Sequence, residues 1–113
     1  MEISMMGYGE NTATFEALEG VAPGMPVKMA GNGTVGPCSA GDAFCGVAVN
    51  VRGGFAAVQL SGYVTLPYTG EAPAPGFALL NAAGAGAVQK DAAGRSLLVI
   101  DADDSAKTCG ILL

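Results

Sequence analysis

Apolar and polar residues alternate most regularly between Ala40 and Leu66, and that alternation predicts an antiparallel β-hairpin. In its first arm Val47, Val49 and Val51 fall on one face, with Ala48, Asn50 and Arg52 on the other. In its second arm Ala56, Val58, Leu60, Gly62, Val64 and Leu66 share a face, and Phe55, Ala57, Gln59, Ser61, Tyr63 and Thr65 take the opposite one. Gly53-Gly54 separates the arms, and two glycines suit a type I′ turn, which needs φ > 0 twice. Gly62 interrupts the long arm and predicts a bulge or a sharp bend.

The same reading extends along the chain. Residues 1–12 show no period and read as an arm that orders when something binds it; a frayed terminus is the plainer alternative. Ala13–Glu19 fits strand or helix, and its shortness favours strand. Pro26–Ala30 predicts a strand with Val27 and Met29 on one face, and Asn32-Gly33 turns it back through Thr34-Val35 to a stop at Pro37. Pro67 to Gly76 holds three prolines and reads as a long loop. Short strands are expected at Phe77–Leu80, Val88-Gln89, Leu97–Ile100 and Cys109–Leu113. Asp101–Lys107 has room for one helical turn, with Asp101 or Asp103 as its N-cap. The expected fold is all-β: a small barrel or sandwich of antiparallel hairpins over residues 13–113, with at most one short helical turn.

Short matches point to an internal duplication. Pro23-Gly24 pairs with Pro75-Gly76, Gly33-Thr34-Val35 with Gly86-Ala87-Val88, and Ala40-Gly41 with Ala93-Gly94. Cys45-Gly46-Val47 pairs with Cys109-Gly110-Ile111 at a wider spacing, which implies an insertion containing LLVIDADD in the second copy.

Composition narrows the function. The chain of 113 residues carries a net charge of −5 with only five Lys and Arg, so no basic patch for nucleic acid is expected. No segment approaches the roughly 18–20 apolar residues of a membrane span. The first residues do not read as a signal peptide, and three cysteines do not make a secreted disulfide framework, so synthesis and retention in a cytoplasm are expected. Gly is abundant and Trp absent, which predicts a thin core of the kind often supplemented by oligomerisation.

Candidate chemistry is sparse. Without histidine the chain lacks Ser-His-Asp and Cys-His systems and most catalytic zinc sites. Cys38, Cys45 and Cys109 contain no C-x₂-C pair and read as small buried apolar residues, ahead of a three-thiolate zinc site or a Cys38–Cys45 disulfide. Asp101, Asp103 and Asp104 begin like a calcium loop, but Ala106 and Leu112 stand where that loop needs Gly and Glu. Glu16, Glu19 and Asp42 would form a carboxylate pair only by chance of folding. The Gly-rich turns 31–33 and 84–86 lack the Lys-Ser/Thr of a phosphate loop. No catalytic, cofactor-binding or metal-ligating residue is therefore assigned, and the expected protein is not an enzyme.

The succession Pro23-Gly24, Val27–Met29, Gly33–Val35, Ala40-Gly41-Asp42, Cys45–Val49 and Ser61–Val64 resembles small β-barrel proteins of tailed phages and prophages. Arg95–Leu112, RSLLVIDADDSAKTCGIL, is similar to the lambda-type capsid decoration proteins, which continue with another hairpin where this chain ends. The resemblance implies a structural virion protein on the capsid exterior that stabilises the head by contact with the major capsid protein. It also implies a homo-oligomer, with a trimer favoured, and a role for the arm. The alternative expectation is a ligand- or glycan-binding β module.

Overall fold

The computed structural model describes residues 11–84 and 86–113, and they form strands and turns with no helix. Five strands make a closed barrel: β1 (Asn11–Ala17), β2 (Pro26–Gly31), β3 (Thr34–Pro37), β4 (Gly46–Arg52) and β5 (Phe55–Ser61). Five more make a second sheet: β6 (Tyr63–Pro67), β7 (Gly76–Gly84), β8 (Ala87–Lys90), β9 (Arg95–Asp103) and β10 (Thr108–Leu112). The all-β expectation holds. The expected arm lies outside the described residues as far as residue 10, and its last two positions, Asn11 and Thr12, belong to β1.

The central hairpin is real but shorter than its pattern. Gly53 and Gly54 both take positive φ, 58° and 82°, as its turn requires. The second arm is divided at Gly62 (φ 99°), where the chain leaves the barrel and enters the second sheet. Val58 and Val64 therefore share a parity but fill different cores. Val47, Val49 and Val51 do not share a face. A bulge between Ala48 and Asn50 leaves Val49 half exposed, and Ala48 points into the barrel.

The two units have one topology. In the first, β1 runs parallel to β3 and antiparallel to β5, β2 pairs with β3 and β4, and β4 pairs with β5. In the second, β6, β7, β8, β9 and β10 take the places of β1 to β5 in four of these pairings, and the fifth, parallel pairing is reduced to a single bridge between Tyr68, just beyond β6, and Val88. The correspondence extends to single residues. The bulge that skips Val49 between the pairs Ala48–Val58 and Asn50–Ala57 recurs at Ile100, between Val99–Ile111 and Asp101–Gly110. The one that skips Ala30 recurs at Ala83.

This register corrects the sequence pattern. The second and third motif pairs mark equivalent turns, whereas Pro23-Gly24 turns ahead of β2 and Gly76 already opens β7. Cys45–Val47 lies at the start of β4 and Cys109–Ile111 in β10, which is the counterpart of β5. LLVIDADD is no insertion; its first seven residues lie in β9, the counterpart of β4. The helical turn expected in Asp101–Lys107 is also absent. Asp101–Asp103 complete β9, and residues 104–107 form a tight turn. Asp103 Oδ1 caps it by accepting from the Ser105 and Ala106 amides at 2.9 and 3.1 Å, and Lys107 closes it at φ 58°.

Each unit has its own apolar interior. Val27, Val35, Ala48, Ala56 and Val58 fill the first. Leu80, Val88, Val99, Cys109 and Ile111 occupy the corresponding positions of the second.

Candidate interaction surface

The units meet through loop and sheet. Between β3 and β4 the chain makes a loop whose Gly41 amide donates to the Ala82 carbonyl (2.8 Å) and whose Asp42 carbonyl accepts from the Ala82 amide (2.9 Å). Lys28 fixes that loop by donating to Asp42 Oδ2 at 2.7 Å, and the Ser39 amide donates to the same oxygen. These two donors hold the Asp42 carboxyl below its ordinary pKa, the Lys28 bond contributing most. At the end of the loop Phe44, 2% exposed, enters the core of the second unit. The Arg95 guanidinium donates to the Phe44 carbonyl (3.2 Å) and lies 5.9 Å from the centre of its ring.

One row on the outer face of the first unit completes the contact. Pro26, Val47 and Gln59 are paired side by side across β2, β4 and β5, and all three are buried. Val47 packs into the second unit's core. Gln59 Nε2 donates to the Ser61 and Tyr63 carbonyls at 3.0 and 3.2 Å, so one amide braces the crossover at Gly62.

In the second unit Leu98 and Leu112 stand where Val47 and Gln59 do, followed by Tyr63. There β7 is shifted by two residues on β9 relative to β2 on β4, so Phe77 pairs beside Leu98, whereas Leu79 holds the place of Pro26 by the register with β8. This row faces outward and has no such cover among the described residues: Phe77 is 79% exposed, and Leu98, Leu112 and Tyr63 are partly exposed. One further rung adds Leu79, also exposed, opposite Ser96. The strands are antiparallel and period 2, so inner Leu80, Leu97 and Ile111 alternate with this outer set. Next to Phe77 and Leu79 the short turn from β8 to β9 leaves an open groove of about 430 Å³, with Pro75, Lys90, Asp91 and Ala92 on its walls. This apolar face and groove are the candidate functional surface. Composition and period predicted the individual strands but not the face, because nothing in the second unit's alternation says which side another body covers.

The residues considered for chemistry are dispersed into structural roles. All three cysteines are free thiols. Burial raises the pKa of Cys38 and Cys109 to about 11 each and also raises that of Cys45, which suppresses the thiolate. Cys109 takes the place of Ala56 in its core, the part of a small apolar residue. Cys38 lines a cavity of about 250 Å³ between the units, with Met25 and Pro26 on one side and Gly84 and Ala87 on the other.

The acids have separate partners. Asp101 Oδ1 accepts from the Gly110 amide (3.1 Å), Asp103 caps its turn, and Asp104 accepts from the Tyr68 hydroxyl at 2.8 Å. That last bond raises the Tyr68 pKa. Glu16 accepts a long bond from Thr34 (3.4 Å), and Asp42 is paired with Lys28. Among the described residues no group of three or more His, Cys, Asp or Glu is placed to hold a metal ion.

Comparison with protein-family models gives no match, and comparison with curated proteins gives no significant relative.

Proposed function

We propose that this chain is a non-enzymatic structural protein of a phage or prophage virion, which decorates the capsid and stabilises it by contact with the major capsid protein. The observation that carries the reading is the outward apolar row Phe77–Leu98–Leu112–Tyr63 on a scaffold whose acidic, cysteine and glycine motifs all serve turns or cores. Large exposed apolar side chains in one contiguous row mark protein contact surfaces. The resemblance of the Pro23–Val64 and Arg95–Leu112 motifs to phage barrel and decoration proteins supplies the class of partner. The net charge of −5 favours a protein partner over nucleic acid.

The test is mass spectrometry of particles induced from the source bacterium, with this protein quantified against the major capsid protein. Near-stoichiometric copies support decoration. A few copies per particle place it in the tail or at the portal, and absence from particles rejects the virion reading.

A second reading, a ligand- or glycan-binding module, is favoured by one feature. Phe77 stands exposed beside a groove that also presents Lys90 and Asp91, an aromatic and two polar groups at one place. Glycan-array binding that is lost in Phe77→Ala would select it, and a flat array would remove it.

A further inference from the structure

We propose that the chain assembles head to tail with copies of itself, the outer row of the second unit docking on the first unit of the next copy as the first unit's row docks on the second unit within the chain. The argument is the internal repeat, and it does not depend on the virion reading. Within the chain, the first unit supplies a row (Pro26, Val47, Gln59) and a loop. The second unit supplies the β7–β8 hairpin, where Ala82 exchanges two backbone bonds with that loop. Both halves of this contact have counterparts left over at the far ends of the molecule.

The spare row is Phe77, Leu98 and Leu112. The spare hairpin is β2–β3, in which Met29 holds the position of Ala82: Met29 pairs with Val35 as Ala82 pairs with Val88. Ala82 is fully buried, whereas Met29 is 47% exposed, and Ala30 to Gly33 beside it are exposed as well. Leu18, 50% exposed, adjoins this hairpin, for a Cβ on Gly36 would meet Leu18 at 3.2 Å and Ala30 at 3.3 Å. Among the described residues, four of the six large exposed apolar side chains, Leu18, Met29, Phe77 and Leu79, thus fall on the two unmatched halves.

The groove fits the same scheme. Where the first unit has the long loop ending in Phe44, the second has only the turn Asp91–Gly94. The space this leaves beside Phe77 and Leu79 would receive the β2–β3 hairpin of the next copy. Such an interface is heterologous, so it builds a closed ring if the rotation between copies closes and an open chain if it does not.

The test uses purified full-length protein in native mass spectrometry and sedimentation velocity across a concentration series. The wild type is expected to form oligomers. Phe77→Asp and Met29→Asp, each removing one half, are each expected to weaken assembly by at least about 30-fold, the effect of a central contact residue. An equimolar mixture of the two is expected to give a 1:1 heterodimer and nothing larger, because each chain retains the half the other lacks. Phe55→Ser, exposed but on neither half, is expected to assemble as the wild type does. Circular dichroism checks folding, and Leu79→Ser with Leu18→Ser replaces any variant that does not fold. A wild type that stays monomeric, oligomers that survive both substitutions, or a mixture that fails to pair would overturn the proposal. The readout needs no particles, so its failure leaves the particle-stoichiometry test of function untouched.

Discussion

The first unit closes into a barrel and the second does not, although the succession of strands, their pairing directions and two bulges are the same. Two local differences account for this. The first is volume: Val27, Ala48, Ala56 and Val58 in the first interior become Leu80, Val99, Cys109 and Ile111 in the second, each larger. A wider filling holds the sheet open at its seam, since interiors pack to a nearly fixed density. The second is one hydrogen-bond donor. At the first seam the Glu16 amide donates to the Gly33 carbonyl and the Leu18 amide to the Val35 carbonyl, both at 2.9 Å. At the second, Thr69 repeats the Leu18 bond to Val88, also at 2.9 Å, but Glu16 is replaced by Pro67, which has no N–H. One topology therefore gives a closed or an open barrel according to a few methylenes and one proline.

The largest expected effect separates two glycines. A Cβ on Gly46 would collide with the Gln59 carbonyl and Val58, the backbone and core of the adjoining strand. Gly46→Ala is expected to cost about 3 kcal/mol, the upper end of overpacking. A Cβ on Gly110 would meet the Tyr63 phenol and the Asp101 carboxylate, which are side-chain ends that swing aside, and the first unit carries Ala57 at this position. Gly110→Ala is expected to cost about 1 kcal/mol. Urea unfolding midpoints of the two variants measure the difference, and equal losses would break the distinction.

Volume is tested next. Ala48→Val gives the first barrel the second's residue and is expected to cost about 2 kcal/mol, because a closed ring has no seam to open. Ile111→Val trims the second interior toward the first and is expected to cost about 1 kcal/mol. Unfolding curves decide; an Ala48→Val protein as stable as the wild type would show that closure is not limited by volume. Pro67→Ala restores the missing donor. The gain from a hydrogen bond, about 1 kcal/mol, is offset by a looser unfolded chain. The expected change is therefore in amide exchange, slower at residues 67 and 69, with little shift in midpoint.

Much of this fold was legible in the sequence. Gly53-Gly54, Asn32-Gly33 and Gly62 marked true turns, and two of the four motif matches marked equivalent ones. What escaped was whatever a period of 2 cannot carry. A bulge shifts the phase by one residue without changing composition, so Val49 read as core and is half exposed. Val58 and Val64 keep one parity through the bend, so the pattern did not reveal two cores. The Cys-Gly-Val match joined strands that are not counterparts, since a Cys-Gly-aliphatic run suits the start of any inward-facing strand. The interaction face was the least legible, because Phe77 and Leu98 are apolar like core residues and only the partner row, covered in the first unit, exposes the contrast.

The smallest expected effect contrasts the two acids that brace corresponding loops. Asp42 is held ionised by Lys28 and the Ser39 amide, and Asp91 by the Ala93 amide and the Asn81 side-chain amide. Both carboxyls have a folded pKa below the ordinary 3.8. Each therefore stabilises the fold fully above that value, and the contribution is lost as pH falls through the lower, folded pKa. The melting temperature is expected to be flat near neutrality and to fall below about pH 4. Asp42→Asn and Asp91→Asn should each lower it at pH 7 and flatten the acid limb. Salt distinguishes them. Asp42 faces a cation across a partly exposed pair, so its loss should shrink in high salt. Among the described residues Asp91 accepts from neutral donors, the Asn81 and Ala93 amides, so its loss should persist. Melting curves at low and high salt read both, and a salt-independent Asp42→Asn would mean that the Ser39 amide, and not Lys28, fixes the loop that joins the two units.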